Sequence, residues 1–72
     1  MPVATIQVIE GVFSGDEKRR MIEKVCDAIV SVGGEPLRDK TYVIVEEIKS
    51  GDWGIGGKVV SSEHVNHVRG KR

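Results

Sequence analysis

The group in this chain with the most chemical potential is not a side chain. Pro2 follows the initiator methionine, and if Met1 is removed it carries a free secondary amine. Ordinary α-amino groups titrate at about 7.7–8.0, and a secondary amine is intrinsically more basic. To stay neutral near pH 7 it must be depressed by desolvation in an apolar pocket or by nearby positive charge, both of which disfavour the ammonium form. So tuned, it can take a proton from an enol hydroxyl and return it to carbon, general acid–base catalysis by a single group. With Met1 attached the nitrogen is an amide and has no such chemistry. Taken alone, Pro2 reads as no more than the start of a strand, so the rest of the chain must decide.

Other reactive types are sparse. His64 and His67 stand three apart, joined only by Glu63, so solvated positions are expected and no metal site. Glu46 and Glu47 are strand neighbours that point to opposite faces, which excludes a paired-carboxylate site. Cys26 is the single cysteine; it falls among helical core positions and reads as a small buried hydrophobe. Gly54, Gly56 and Gly57 have no strand immediately before them and no helix amide cluster after, so they suit a tight hairpin better than a phosphate loop. No cofactor is expected.

The elements that must position these groups follow from periodicity. In Val3 to Glu10, Ala4, Ile6 and Val8 alternate with Thr5 and Gln7, a strand closed by Gly11. Ser14 and Glu17 have capping-box spacing. From there Met21, Val25, Ala28 and Val32 recur at steps of three or four, with Ile22 and Ile29 widening the stripe of a helix. Gly33 and Gly34 end it, and Pro36 is expected to forbid its restart. Thr41 to Ile48 is a second strand whose apolar centre, Val43-Ile44-Val45, suggests burial on both faces, as in parallel sheets. Strand, helix and strand make one right-handed βαβ unit. A short hairpin follows around the glycine-rich turn, and Ser61 to Arg69 adds a helical turn or two with Val65 and Val68 inward. The fold class is therefore α/β (α+β), a single β-α-β unit with a C-terminal hairpin, in one domain over residues 1–72.

Eleven basic residues balance eleven acidic ones, which argues against a nucleic-acid partner, since such a protein needs a basic surplus. The local excess at Arg69, Lys71 and Arg72 reads as a solvated, frayed terminus. No apolar run approaches the ~20 residues of a membrane span, and no signal-like segment leads the chain. The expectation is a cytoplasmic protein without a membrane partner. At 72 residues a monomer buries only about 60% of its unfolded surface. One helix covers one face of a two-stranded sheet, and two strands are not stable alone. The missing cover must come from other copies, so an obligate homo-oligomer is expected.

Met1-Pro2 leads directly into a strand ending Ile9-Glu10-Gly11. A loop, one helix, Pro36-Leu37 and a strand ending Val45-Glu46-Glu47 follow, then Trp53 with Gly54-Ile55-Gly56-Gly57. Over residues 2 to about 60 this resembles 4-oxalocrotonate tautomerase and its short relatives, with 61–72 a variable tail. The resemblance implies the tautomerase fold, a hexamer, and an enol–keto tautomerase whose general acid–base is Pro2. The implied substrate is a small 2-hydroxy-dienoate or enol pyruvate-type acid. Trp53 takes the place of the aromatic wall beside the amine. The family pattern also has two arginines, one just after the Glu-Gly pair and one early in the second strand. Here Val12-Phe13 and Tyr42 stand in those places, which makes Phe13 and Tyr42 candidate substrate contacts. Arg38 and Lys40, just before the strand, are candidate substitutes. Two other readings stay open: a haloacrylate dehalogenase or hydratase-type relative, and a non-catalytic partner subunit of a tautomerase-like hexamer.

Overall fold

The computed structural model describes residues 1–70. The alternating segment forms β1 (Val3–Ile9), and Gly11 leaves it at φ 76°. Ser14 then caps α1 (Gly15–Gly33). Its hydroxyl accepts from the Glu17 amide at 3.1 Å while the Glu17 carboxylate accepts from the Ser14 amide at 3.0 Å, the reciprocal capping box expected from the spacing. A 3-10 helix (Glu35–Lys40) leads into β2 (Tyr42–Ile48). Pro36 therefore does not keep the chain from turning again. It sits in the first turn of the new helix, where its missing N–H is an orphan in any case.

β1 and β2 pair in parallel, from Val3 opposite Tyr42 to Ile9 opposite Ile48, and α1 lies across one face. The period of two sorts the side chains: Ala4, Ile6, Val8, Val43 and Val45 are buried or half-buried under the helix. Glu47, on that same face, pairs with Lys18 of α1 at 3.4 Å, while Glu46, on the other, accepts from the Gln7 amide at 2.7 Å. On α1 Val30 is buried, and Met21, Ile22, Val25, Cys26 and Ile29 are half-buried. Ala28 and Val32 are exposed, Val32 at 90%. Cys26 is half-buried, short of the full burial expected from its neighbours.

The hairpin β3 (Trp53–Ile55) and β4 (Lys58–Val60) turns at Gly56 and Gly57, with φ of 58° and 80°. Two successive positive φ values make the two-residue connection that matches strand twist and favours glycine. Ser61 caps α2 (Ser62–Val68) by accepting from the His64 amide. Val65 packs half-buried, but Val68, the last residue of the helix, is 70% exposed. Arg69 departs from the expected frayed tail: it folds back and is largely covered, while Lys71 and Arg72 lie outside the described residues.

Burial is thin. Val8, Ile9, Val12 and Val30 are the buried apolar residues, and among the described residues no side chain is completely enclosed. The surface of 5342 Å² exceeds the roughly 4,400 Å² expected for a folded monomer of this mass. The radius of gyration, 14.6 Å, exceeds the roughly 11 Å of a compact chain of this length. The excess apolar surface is localised. Val3, Tyr42 and Ile44 are 64%, 57% and 48% exposed on the uncovered sheet face, and Ile55 and Val59 are open on the hairpin. β2 is thus apolar on both faces, as its sequence suggested, and on the face away from α1 the chain covers only the Ile9–Ile48 end.

Candidate active site

The parallel sheet divides the candidate residues between its two ends. Pro2 is half-buried just ahead of β1, and its carbonyl accepts the Tyr42 amide at 3.0 Å. Arg38 and Lys40, in the 3-10 helix that feeds β2, precede this same end in sequence. Phe13 lies past the other end of β1, and Trp53 opens the hairpin past the corresponding end of β2. A strand of seven residues spans ~23 Å. One chain therefore brings Pro2 to Tyr42, and sets Phe13 and Trp53 at the far end of the sheet.

At the first end, charge is already committed. The Arg38 guanidinium donates to Glu35 at 2.7 Å and to Asp27 at 2.7 Å. The hydrogen bond from Arg38, then its charge, holds the Glu35 carboxyl below its ordinary range. The hydrogen bonds to Glu35 and Asp27 raise Arg38 further above its own. Arg38 is thus matched by two carboxylates. Lys40 is exposed and has no ion-pair partner among the described residues. Tyr42 is exposed on the open sheet face, so its phenol is accessible as a neutral donor. An open hollow of about 260 Å³ lined by Ile22, Glu23, Cys26, Asp27 and Arg38 includes Arg38 but none of the other candidates.

At the second end, two half-buried aromatics, Phe13 and Trp53, provide apolar surface. The base of the hairpin is tied there by a relay: the Ser50 amide donates to the Glu10 carboxylate at 3.1 Å, and the Ser62 amide donates to the Ser50 hydroxyl at 3.1 Å. Arg69 is the residue that sequence reasoning missed. Its guanidinium lies 4.4 Å from the Phe13 ring centroid and donates to the Val12 carbonyl and the Glu17 carboxylate, each at 2.7 Å. The available signal was the Ser61 cap, which carries helix as far as Val68 and so returns Arg69 toward the loop.

The sheet thus sets Pro2 and Tyr42 at one end and the half-buried aromatics Phe13 and Trp53 at the other. Comparison with known proteins places this arrangement in a family. The family profile described as "Tautomerase enzyme" matches residues 2–63. A probable tautomerase of Listeria innocua is 40% identical over 57 residues, covering 79% of this chain and 90% of that protein. A 2-hydroxymuconate tautomerase of Pseudomonas putida is 38% identical over 61 residues, 85% of this chain and 94% of that protein. Among solved structures, one of the 4-oxalocrotonate tautomerase isozymes from Methylibium petroleiphilum superposes with a TM-score of 0.71 at 35% identity, covering 89% of this chain and 97% of its own. DmpI from Helicobacter pylori superposes at 0.70 with 28% identity, over 99% and 100%.

Proposed function

This chain belongs to the tautomerase family and is an isomerase, and from that premise we propose that it interconverts the enol and keto forms of a small 2-hydroxy-dienoate or enol pyruvate-type acid with Pro2 as the acid–base. Once Met1 is gone, the Pro2 nitrogen takes the proton of the enol hydroxyl. The electron pair moves through the conjugated system, and the resulting prolinium returns that proton to carbon. One amine is base and then acid, and between the two transfers the prolinium balances the negative charge of the enolate. The observation that carries this reading is Pro2 itself, half-buried directly ahead of β1 and held there by the Tyr42 amide.

The ~23 Å along β1 gives the reading a second part. A small acid cannot touch Pro2 and Phe13 of one chain. A complete pocket therefore takes Pro2 and Tyr42 from one copy and Phe13 and Trp53 from another, and the open apolar face at Val3, Tyr42 and Ile44 is the surface on which copies meet. The resemblance to 4-oxalocrotonate tautomerases supports a homohexamer as that assembly. Desolvation by the aromatics of a neighbouring copy then lowers the basicity of the amine.

The test is ketonisation of phenylenolpyruvate, followed by absorbance, for wild type and Pro2→Ala at matched oligomeric state. The substitution leaves a primary amine of different basicity and placement, and a loss of about 10²–10⁴ in rate is expected for removing a positioned acid–base. Equal rates would mean that Pro2 is structural.

A further inference from the structure

The C-terminal segment beyond the family match does more than end the chain. Three consecutive features of the loop after β1 are each engaged from α2 and its end. The Gly11 carbonyl accepts from the Asn66 side-chain amide at 3.2 Å, the Val12 carbonyl accepts from Arg69 at 2.7 Å, and the Phe13 ring lies under the Arg69 guanidinium. The other side of the same guanidinium is held by Glu17, with side-chain exposures of only 24% for Arg69 and 19% for Glu17. Glu17 is in turn fixed by the capping box at the start of α1. A planar fork is needed to satisfy a backbone carbonyl and a carboxylate while stacking on a ring, and an ammonium cannot do all three.

We propose that Arg69 is a positioning residue for the substrate pocket, fixing the Phe13 ring as the apolar wall against which the non-carboxylate end of the substrate rests. This rests on the reading of Phe13 as a pocket residue given above. Because Glu17 matches its charge, Arg69 acts through the ring and the loop and does not itself grip an anion. One ring face is covered by the guanidinium, and the uncovered remainder is what a substrate meets.

Phe13 is the only phenylalanine in the chain, so incorporation of 4-fluorophenylalanine gives a single fluorine resonance that reports this ring. In the wild-type oligomer that resonance is expected to be narrow and to move when phenylpyruvate is added. In Arg69→Met it is expected to broaden or split, with phenylpyruvate binding about five- to tenfold weaker. Kinetically, KM for phenylenolpyruvate rises by about the same factor while kcat stays within about twofold. In a Phe13→Leu background the further effect of Arg69→Met falls below about twofold, because the ring it positions is gone. Arg69→Lys does not rescue. If Arg69→Met does not assemble, Glu17→Gln serves in its place: it removes the ionic partner of Arg69, retains a capping residue, and broadens or splits the same resonance.

An unchanged resonance and KM in Arg69→Met overturns the proposal, as does an effect of equal size with and without the Phe13 ring. A wild-type resonance indifferent to phenylpyruvate also overturns it, by removing Phe13 from the pocket. Undiminished ketonisation in Pro2→Ala would instead sink the proline mechanism and leave the ring measurement standing.

Discussion

The backbone amide of Tyr42 donates to the carbonyl of Pro2 at 3.0 Å, extending the parallel ladder one step beyond the Val3–Tyr42 pair. This bond fixes the proline at the sheet end while Met1, 79% exposed, projects beyond it. Nothing in the sheet requires Met1, and its exposure leaves the Met1–Pro2 bond open to processing. Intact mass of native material is expected to be lower by one methionine residue. Full retention of Met1 makes the nitrogen an amide and ends the mechanism, however well the fold matches.

Assembly is predicted from the sheet face that α1 does not cover. Burying the exposed half of Ile44 contributes about 1 kcal/mol per copy, whereas burying an unpaired ammonium there is strongly unfavourable. Sedimentation of a dilute sample is expected to show an oligomer for wild type and smaller species for Ile44→Lys, with ketonisation lost in parallel because each pocket draws on two copies. A folded, fully active wild-type monomer contradicts both the burial argument and the divided site.

The pattern of what was readable in the chain has physical causes. Local rules held: the Ser14–Glu17 box, the alternation in β1 and the Gly56-Gly57 turn each depend on neighbours within a few residues. Parallel pairing followed from a strand apolar on both faces, and from that strand came the need for other copies. The α1 stripe was read too far, to Val32, because periodicity does not say where the covering sheet stops. Arg69 was read as tail because its partners, Val12 at a separation of 57 residues and Glu17 at 52, are set by tertiary return alone. Pro2 and Phe13 were named as parts of one site, but only the parallel register reveals that a strand length separates them.

A pH dependence follows from Glu35, whose carboxyl is held below its ordinary range first by the hydrogen bond from Arg38 and then by its charge. A depressed carboxylate contributes stability that is present above its unfolded value, 4.5, and is lost as pH falls through the lower folded value. The midpoint of thermal unfolding is therefore expected to differ between wild type and Glu35→Gln at neutral pH, and to converge as the solution is made more acid than pH 4.5. The pair is exposed, so the difference should be small and should shrink with salt. A difference that stays the same from neutral to acid would mean that Arg38 is held by Asp27 alone.

Substrate preference is the sharpest expectation for the site. By resemblance, Val12-Phe13 and Tyr42 stand where the family pattern has two carboxylate-gripping arginines, and each such charge-assisted contact is worth about 1.5–3 kcal/mol. At the Pro2 end Arg38 is spent on Glu35 and Asp27, and at the Phe13 end Arg69 is spent on Glu17. Burying a second, unpaired carboxylate beside Phe13 and Trp53 is therefore costly. Monoacid enols of aryl or alkyl pyruvates are expected to have higher kcat/KM than 2-hydroxymuconate-type diacids. Tyr42→Arg supplies a guanidinium next to Pro2, where the second carboxylate of a diacid can pair with it, and is expected to raise diacid kcat/KM by about tenfold or more while changing the monoacid less. If wild type already prefers the diacid, then Lys40, the exposed cation without an ion-pair partner among the described residues, reaches the pocket from the turn before β2. Lys40→Met would then abolish that preference.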